Sequence, residues 1–600
     1  MPVATTPVTA APLPGRELNA SEQTFSSWDL TPIFYRSWIP AGRVDKAIVL
    51  LHRGHEHSAR WEETVRALDV PGAAIFAWDE RGHGRSPGER GWAEDFSVYV
   101  RDLDAWIRHL SAAHNLPIGA FAVVAHSVAA VIASAWVHDY APPIRALVLA
   151  TPAFAVKLYV PLAIPGLRLL QRLRGKSFIK SYVGGKLLTH DPALARGYDS
   201  DEGISKNIAV NILLDLFDTS RRLVADAGAI RVPVLMLTAA DDLVVHQKPQ
   251  RDFFHRLSSP VKELELLPGF FHAVFHETER ARVVARVSEF LRRQFTTLAA
   301  PAPPLLDADE SGYTRREYDA LQRRLPVTSL RRWNFAFQSV AMETLGRLSH
   351  AISVGWKTGF DSGESLDAVY ENEARGLTPL GKLIDRGYLD AVGWKGIRLR
   401  KVHLQRALGT ILHQANAEGL PLRVVDIASG PGRYLLEIVQ KLQPLEVDAL
   451  CRDRSLGGLE AGRALAAHLG LKTVRYEQGD AFDPESLAAI SPKPTVAIVS
   501  GLYELFPKNA PIRASLGGLH QALADHGWLI YTNQPWHPQV EMIARVLPNR
   551  DGHPWIMRRR TQEEMDALVQ AAGFEKLGME IDPWGIFTVS VARKRSAVAK

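Results

Sequence analysis

One stretch decides the fold of the first half of the chain, and it reads Val123-Val124-Ala125-His126-Ser127-Val128-Ala129-Ala130. An apolar run stops at the serine, and a helical pattern of small residues begins. A serine on such a strand-to-helix turn is a candidate nucleophile, and the usual pattern places a glycine two residues before it and two residues after it. Alanine stands at both positions here, which crowds the turn. The alternative interpretation is a serine that only joins a buried strand to a helix.

Length and composition indicate a globular protein of two or three domains. Six hundred residues exceed what one hydrophobic core holds, and 46% hydrophobic with 23% charged residues is typical of globular chains. The single cysteine, Cys451, excludes an internal disulfide and fits a reducing, cytoplasmic compartment. We expect no signal peptide and no membrane-spanning segment. The net charge of +6 gives no case for a nucleic-acid partner, and nothing in the sequence specifies an oligomeric state.

Two regions of the chain alternate apolar runs with helical patterns, which predicts two sheets of mostly parallel strands covered by helices. The runs of the first region are 47–51, 73–78, 121–125, 146–150 and 234–237. Those of the second region are 423–427, 447–451, 496–500 and 528–531. The domains predicted from these patterns are a disordered tail (1–22), an α/β unit (23–295) with a cap (about 152–230), a linker (296–312), a helical segment (313–420) and a second α/β unit (421–597).

Residues that suit nucleophilic catalysis follow the runs of the first region. Ser127 precedes an acidic pair, Asp241-Asp242, and His272 follows about thirty residues later. A histidine within hydrogen-bond reach activates a serine by taking its proton, and a carboxylate orients the imidazole. We therefore expect a triad of Ser127, His272 and one of the two acids, which spacing alone does not separate.

Residues 25–295 resemble the monoacylglycerol lipase and lysophospholipase branch of the α/β hydrolases. The resemblance rests on the motif from His52 to Ser58, on the motif from Asp79 to Gly88, and on a D-x-x-V pattern at Asp241 and Val244. It implies an α/β-hydrolase fold and a serine hydrolase that acts on a monoacylglycerol or a lysophospholipid. The D-x-x-V register favours Asp241 as the carboxylate of the triad.

We expect the backbone N–H groups of Gly54 and Val128 to form the oxyanion hole. The sequence departs from the family at Arg53 and His55, where the family has glycine, and at the two alanines beside Ser127. These departures keep a second interpretation open, in which the hydrolase fold is a catalytically inactive module that binds lipid or serves as a scaffold.

Histidines gather around the two loop motifs at positions 52, 55, 57 and 83, and arginines interleave with them. Arginine makes a poor metal cage, so we expect no metal site here. We expect His52 and His83 to brace the loops through hydrogen bonds instead.

The predicted cap combines apolar and basic character. Residues 155–170 are mainly apolar, and every charged residue from Lys157 to Lys186 is basic. This pattern is typical of a face that docks on an anionic membrane surface, here the inner face. A cap helix packed on its own core is the alternative.

The second region opens with a strand that runs into a glycine turn, and the turn reads Asp426-Ile427-Ala428-Ser429-Gly430-Pro431-Gly432. Glycine lets a backbone approach a ligand closely, and an acid after the next strand, Asp453, can accept both hydroxyls of a ribose. NAD-type and S-adenosylmethionine-type sites both have this arrangement.

Three features favour S-adenosylmethionine: the third glycine of the dinucleotide fingerprint is absent, Asp426 ends the first strand, and Asp480 is placed to reach an adenine amine. Residues 420–595 resemble class I S-adenosylmethionine-dependent methyltransferases. The helical segment before them is similar to the front of a bacterial methyltransferase family found fused to hydrolases. The cofactor residues implied are Asp426, Ser429, Gly430, Gly432, Asp453 and Asp480. Arg452 and Arg454 keep an NADP site open.

The methyl acceptor is bound, in this interpretation, by residues that follow the fourth and fifth strands. The candidates are Tyr503, Glu504, Trp536 and His537. Core packing explains Tyr503 and Trp536 equally well. The whole chain is thus predicted to be a bifunctional α/β enzyme, a lipid-type serine hydrolase followed by a Rossmann-like methyltransferase.

Overall fold

The computed structural model describes residue 13 and residues 19–297 and 305–595. The chain divides into two compact units, Met1–Ala302 and Pro303–Lys600. Most of the predicted tail and the middle of the predicted linker lie outside the described residues. Ser21 and Glu22, which we assigned to the tail, begin the first strand. Leu305–Asp307, assigned to the linker, form a 3-10 turn.

The first unit is built on a mixed sheet. Its strands and the two strands of its cap are β1 (Ser21–Ser26), β2 (Pro32–Trp38), β3 (Lys46–Leu51), β4 (Ala73–Trp78), β5 (Phe121–His126), β6 (Ala146–Ala150), β7 (Phe178–Lys180), β8 (Asn207–Ala209), β9 (Val234–Ala239) and β10 (Lys262–Leu267). The strand order is β1-β2-β4-β3-β5-β6-β9-β10, and pairing is parallel from β4 to β10. Every residue of β4, β5 and β6 is buried, as helices on both faces require.

Helices cover both faces of this sheet and form the cap between β6 and β9. They are α1 (Glu62–Ala67), α2 (Ser97–His114), α3 (Val128–Tyr140), α4 (Ala163–Arg174), α5 (Pro192–Asp199), α6 (Val210–Ala225), α7 (Gln247–Arg256) and α8 (Arg280–Thr296). The cap holds α4 to α6 and the small β7–β8 sheet. It therefore interrupts the strand alternation where the sequence predicted.

The second unit has its own sheet. Its strands are β11 (Arg423–Ile427), β12 (Asp448–Asp453), β13 (Val474–Gln478), β14 (Val496–Val499), β15 (Trp528–Asn533), β16 (Phe574–Ile581) and β17 (Thr588–Lys594). The order is β13-β12-β11-β14-β15-β17-β16, with β17 antiparallel to both neighbours. This is a Rossmann-like sheet that ends in an antiparallel hairpin.

Helices of the second unit begin well before its sheet. They are α9 (Tyr313–Gln322), α10 (Leu330–Glu343), α11 (His350–Thr358), α12 (Gly363–Glu371), α13 (Pro379–Leu389), α14 (Val392–Ala417), α15 (Arg433–Lys441), α16 (Leu456–His468), α17 (Pro484–Ala488), α18 (Asn509–Ala522), α19 (Val540–Val546) and α20 (Gln562–Ala571). The two-unit α/β architecture confirms the predicted fold class. Among the described residues, no helix combines the length and apolar character needed to cross a membrane.

Each sheet has a point where the strand order reverses, and ligands of open α/β sheets bind at the carboxyl ends of strands at such points. In the first sheet β3 and β5 are adjacent, and β4 lies on the other side of β3. In the second sheet β11 and β14 are adjacent, and β12 lies on the other side of β11. The Ser127 turn follows β5 and the glycine turn follows β11, so both candidate sites lie at switch points.

Candidate active sites

Ser127 forms the sharp turn between β5 and α3. Its backbone has φ 60° and ψ −115°, a combination uncommon for a residue with a side chain. Ala125 and Ala129 are both 0% exposed. The turn therefore forms with alanine in place of both glycines of the usual pattern.

His272 connects Ser127 to a buried carboxylate. Its Nε2 lies 2.8 Å from Ser127 Oγ, and its Nδ1 lies 2.8 Å from Asp242 Oδ2. An ionised carboxylate only accepts hydrogen bonds, so Nδ1 carries the proton and Nε2 accepts from the serine hydroxyl. The three side chains are buried. Their geometry is that of a base-activated serine nucleophile.

The carboxylate of this triad is Asp242, and the prediction of Asp241 was wrong. Asp241 is exposed, and its Oδ2 accepts the N–H of Gly269. Asp242 Oδ1 accepts the N–H groups of Val244 and Val245. Burial alone would raise the pKa of Asp242, but the charge and hydrogen bond of His272 and these N–H groups hold it below its ordinary value.

Gly54 and Val128 lie against each other beside Ser127, as a shared oxyanion hole requires. A Cβ built on Gly54 would stand 3.2 Å from Val128 Cγ2. Val128 is the first residue of α3, so its N–H has no partner within the helix. Both residues line a pocket of about 140 Å³ together with Ser127 and His272. The cap supplies apolar walls to this pocket: Val156, Leu158, Ile179, Ile208, Ile212, Leu213 and Leu216.

Arg53, which replaces a family glycine, is held inside the protein. It is 3% exposed, its Nη2 donates to Glu56 Oε1 at 2.7 Å, and its guanidinium lies 4.9 Å from the centre of the Tyr198 ring. Burial would raise the pKa of Glu56, but Arg53 and Arg60 hold it well below its usual range. Arg53 is therefore a buried structural cation at the edge of the pocket.

His55 adopts φ 75°, a left-handed conformation that glycine enters more readily. The glycine of the family pattern would adopt this conformation without the cost that a side chain adds. Burial lowers the pKa of His55 to about 4, so the imidazole is neutral at pH 7.

The two loop motifs are joined by hydrogen bonds. Asp79 accepts the N–H of Ser58 and the N–H of Arg85, both at 2.7 Å. His52 Nε2 accepts the N–H of Glu80 at 3.0 Å, and His83 Nδ1 lies 3.1 Å from the carbonyl oxygen of Arg81. These polar residues fix the loops around the pocket.

Glu80 is a buried acid in the wall of the same pocket. Burial, with a smaller contribution from the charge of Asp102, raises the pKa of Glu80 to about 8. The side chain is therefore mostly protonated at pH 7.

The glycine turn of the second unit borders a cleft of about 440 Å³. Asp453 Oδ2 accepts the N–H of Gly430 at 2.8 Å, and Oδ1 accepts the N–H of Ser455 at 2.7 Å. Each carboxylate oxygen keeps lone pairs that can accept from a ligand. A Cβ on Gly430 would meet no atom within 4 Å, so the cleft is open against the backbone of the turn. Ser429, Gly430, Gly432 and Asp453 all line it, as predicted for a nucleoside-type ligand.

Two other acids assigned to the cofactor do not line the cleft. Asp426 is 0% exposed, and Tyr434 Oη donates to its Oδ1 at 2.5 Å. Burial raises the pKa of Asp426 to about 8. Asp480 is exposed and accepts the N–H of Phe482 at 2.9 Å. The assignments of Asp426 and Asp480 as ligand-binding residues are therefore corrected: the first side chain is buried against Tyr434 and the second caps a loop.

A second cavity of about 440 Å³ adjoins the cleft, and the two share Asp361, Leu366, Arg400, Gly501 and Leu505. Glu504 and His537 line this cavity, as predicted for an acceptor site. Burial lowers the pKa of His537 to about 4, so it is neutral at pH 7.

Tyr503 and Trp536 do not line the cavity, so their assignment to it was wrong. Tyr503 belongs to the hydrophobic core below the sheet, and its Oη lies 3.0 Å from Ser515 Oγ. Trp536 is half-buried and packs against the cluster that contains Ile586. The core-packing alternative applies to both.

Two further polar residues, Arg400 and Gln534, line the cavity and were not predicted from the sequence. Arg400 comes from α14, about a hundred residues before Glu504 in sequence. Gln534 could have been predicted, because it directly follows a predicted strand and site residues are expected at strand ends. No sequence pattern singles out Arg400.

Family models match both halves of the chain. The model described as "Putative methyltransferase" matches residues 287–594, and the model described as "Serine aminopeptidase, S33" matches residues 42–279.

Relatives cover either the whole chain or its first half. "Uncharacterized protein YnbC" of Escherichia coli (strain K12) is 47% identical over 578 residues, which are 96% of this chain and 98% of that protein. A monoacylglycerol lipase of Mycolicibacterium smegmatis is 26% identical over 273 residues, covering 45% of this chain and 96% of the lipase. Among solved structures, a monoglyceride lipase variant from Saccharomyces cerevisiae with a substrate analogue aligns with TM-score 0.41 and 21% identity, over 50% of this chain and 100% of that one.

Proposed function

We propose that this chain is an enzyme with two activities. The chain belongs to the methyltransferase family whose model matches residues 287–594, and a serine-hydrolase domain precedes that region. The first activity is hydrolysis of a lipid-like ester, a monoacylglycerol or a lysophospholipid. The second is methyl transfer from S-adenosylmethionine. The observation that carries the proposal is the hydrogen-bonded triad of Ser127, His272 and Asp242, whose serine and histidine line an apolar pocket.

In the proposed hydrolysis, Ser127 Oγ attacks the ester carbonyl carbon while His272 Nε2 takes its proton. Asp242 keeps the proton on Nδ1 and stabilises the imidazolium that forms. The N–H groups of Gly54 and Val128 receive the oxyanion, and His272 then protonates the leaving alcohol. Water repeats the sequence on the acyl-enzyme and releases the acid. The apolar cap residues suit an acyl chain, which supports a lipid-like ester over a polar one.

Labelling with a fluorophosphonate probe tests this half of the proposal. We expect an adduct on the full chain that Ser127→Ala abolishes. In a separate assay, the unlabelled chain should hydrolyse either monoacylglycerol or lysophosphatidylcholine faster than the other. An inactive lipid-binding or scaffold module would give no Ser127-dependent adduct. That result would replace the hydrolase proposal.

S-adenosylmethionine would supply an electrophilic methyl group at the second site. The open backbone at Gly430 and the spare lone pairs of Asp453 fit a nucleoside with vicinal hydroxyls. Of the two arginines that kept NADP open, Arg452 donates to Ser486 Oγ at 2.7 Å, and a bonded guanidinium is a poorer partner for a 2′-phosphate. Arg454 lines the cleft, so the case against NADPH rests on the missing third glycine of the dinucleotide fingerprint. Calorimetry should therefore give binding of S-adenosylmethionine and none of NADPH. The reverse preference would overturn the methyltransferase assignment.

We also propose that the cap docks on an anionic membrane surface. No residue of α4 is buried, so the alternative of a helix packed on its own core lacks support. Leu169 is 57% exposed and Leu173 is 75% exposed, and basic side chains of the helix flank them. An exposed apolar face with cations matches a lipid headgroup region.

Sedimentation with vesicles of anionic and of neutral lipid tests the docking proposal. Leu169→Glu with Leu173→Glu should abolish binding to the anionic vesicles. The matched control is Leu264→Glu with Leu266→Glu, two exposed leucines of β10 outside the cap, and it should bind like the unmodified chain. Equal binding by both double variants would remove α4 from the proposal.

A further inference from the structure

The cavity beside the glycine-turn cleft is almost wholly apolar. Its volume of about 440 Å³ is within the range of sites for drug-sized ligands. The apolar lining includes Phe337, Ile352, Trp394, Ile397, Met542 and Phe587. Phe337 is 73% exposed, so the lining reaches the surface on α10. A ligand of this cavity must be largely apolar.

Three polar side chains in the cavity wall each have a buried atom without a hydrogen-bond partner among the described residues. The atoms are Arg400 Nε, Glu504 Oε2 and Gln534 Nε2. Their residues are 3%, 6% and 4% exposed. A buried polar atom left unpaired is unfavourable, so three of them around one cavity indicate a ligand with a polar group.

Arg400 stands where the cavity meets the cleft. A Cβ on Gly501, the turn after β14, would lie 3.0 Å from Arg400 Nη2, and Gly501 lines both spaces. Arg400 Nη1 lies 3.7 Å from Glu504 Oε1, which also accepts from Thr532 Oγ1 at 3.0 Å. The polar end of the cavity therefore faces the predicted donor site.

The charges of this polar end select among ligand groups. The Glu504 carboxylate disfavours a second carboxylate, and the Arg400 guanidinium disfavours an ammonium group. A neutral hydroxyl satisfies the unpaired atoms, since it donates to Glu504 Oε2 and accepts from the N–H of Gln534 or Arg400.

We propose that this cavity binds an apolar alcohol or phenol as the methyl acceptor, with Glu504 as the proton acceptor. The inference rests on the proposed methyltransferase function. The acceptor oxygen forms its bond to the methyl carbon as the carbon–sulfur bond of the sulfonium donor breaks, and the electron pair of that bond stays on sulfur. The hydroxyl proton passes to Glu504 Oε2, and the product is a methyl ether.

Calorimetry on the full chain without donor tests the acceptor site through binding alone. The probes are 2-naphthol, its methyl ether 2-methoxynaphthalene, and 2-naphthoate. A hydrogen bond to a charged group contributes about 1.5–3 kcal/mol, so naphthol should bind roughly 10- to 150-fold more tightly than the ether. Naphthoate should bind more weakly than naphthol.

Glu504→Gln is the decisive variant, because Gln keeps the size and removes the charge. It should reduce the preference for naphthol over the ether and relieve the exclusion of naphthoate. Gln534→Leu, which removes one donor, should weaken naphthol more than the ether and serves if Glu504→Gln does not fold. The effect of each substitution is taken as the difference between variant and parent chain, so binding in the Ser127 pocket cancels from it.

Equal affinity for naphthol and the ether, tighter naphthoate binding, or no saturable binding of any probe would each overturn the inference. The test of the donor site is separate. One outcome is that S-adenosylmethionine fails to bind while naphthol binds in a Glu504-dependent manner. That result would support the cavity as a site for apolar hydroxyl compounds and would contradict the methyl-transfer step. If S-adenosylmethionine binds without a hydroxyl preference, the acceptor class alone falls.

Discussion

His272 Nδ1 bonds to Asp242 Oδ2 at 2.8 Å, while the neighbouring Asp241 turns toward the backbone of Gly269. Asp242→Asn should therefore slow fluorophosphonate labelling of Ser127 by about 10⁴, because the amide stabilises the wrong imidazole tautomer. Asp241→Asn is the matched control and should label at the parent rate. Slower labelling of the Asp241 variant alone would identify Asp241 as the carboxylate of the triad, as the D-x-x-V pattern predicted.

Glu56→Gln should destabilise the first unit. It leaves Arg53 buried without its counter-ion, and breaking a buried ion pair in this way is unfavourable by about 3–5 kcal/mol. The measurement is the denaturant-unfolding transition of the first unit in the full chain. Glu62→Gln breaks the half-exposed pair with Arg66 and should change stability by less than about 0.5 kcal/mol. Equal effects of the two changes would contradict the structural role of Arg53.

Asp453→Asn should weaken S-adenosylmethionine binding roughly 10- to 150-fold, since a hydrogen bond to a charged group contributes about 1.5–3 kcal/mol. Asp480→Asn should leave affinity unchanged because Asp480 is exposed and caps a loop. Both affinities are measured by calorimetry. A loss confined to the Asp480 variant would restore the sequence-based assignment of that residue.

Glu80→Gln should change how stability depends on pH. The pKa of Glu80 is raised from 4.5 to about 8 in the folded state, so the unfolded chain releases this proton first. The contribution of Glu80 is fully present below pH 4.5 and is lost as pH rises to about 8. The free energy of unfolding of the variant, relative to that of the parent chain, should therefore rise by a few kcal/mol between pH 4.5 and about pH 8, because one pKa unit corresponds to about 1.36 kcal/mol.

Denaturant unfolding at several pH values measures the Glu80 effect. Glu94→Gln, a change at an exposed position, is the control. Its free energy of unfolding should depend on pH in the same way as that of the parent chain. If the stability of the Glu80 variant also depended on pH as that of the parent chain does, the result would contradict the raised pKa of Glu80.

The apolar runs predicted the central parallel strands because buried strands need apolar residues on both faces. The outer strands β1, β10, β13 and β16 mix polar residues with apolar ones, so no continuous apolar run marked them. Strand ends located the Ser127 turn and the glycine turn, since ligands collect at the carboxyl ends of strands.

Side-chain direction was the part that spacing did not determine. Asp241 and Asp242 are adjacent in the turn that follows β9, and sequence spacing does not determine which of two neighbouring side chains faces His272. Tyr503 and Glu504 are adjacent in a 3-10 turn, where successive side chains point in different directions, and one packs in the core while the other lines the cavity. Arg400 reaches that cavity from a distant helix, and only the tertiary fold brings it there.

The backbone of Ser127 has φ 60°, where a side chain is unfavourable by about 1–3 kcal/mol and glycine is not. A lineage that kept this unit only for binding would gain stability from glycine at this position, and selection would not oppose the change. The strained serine therefore supports the proposed hydrolase over the inactive module, because only the hydrolase needs the hydroxyl.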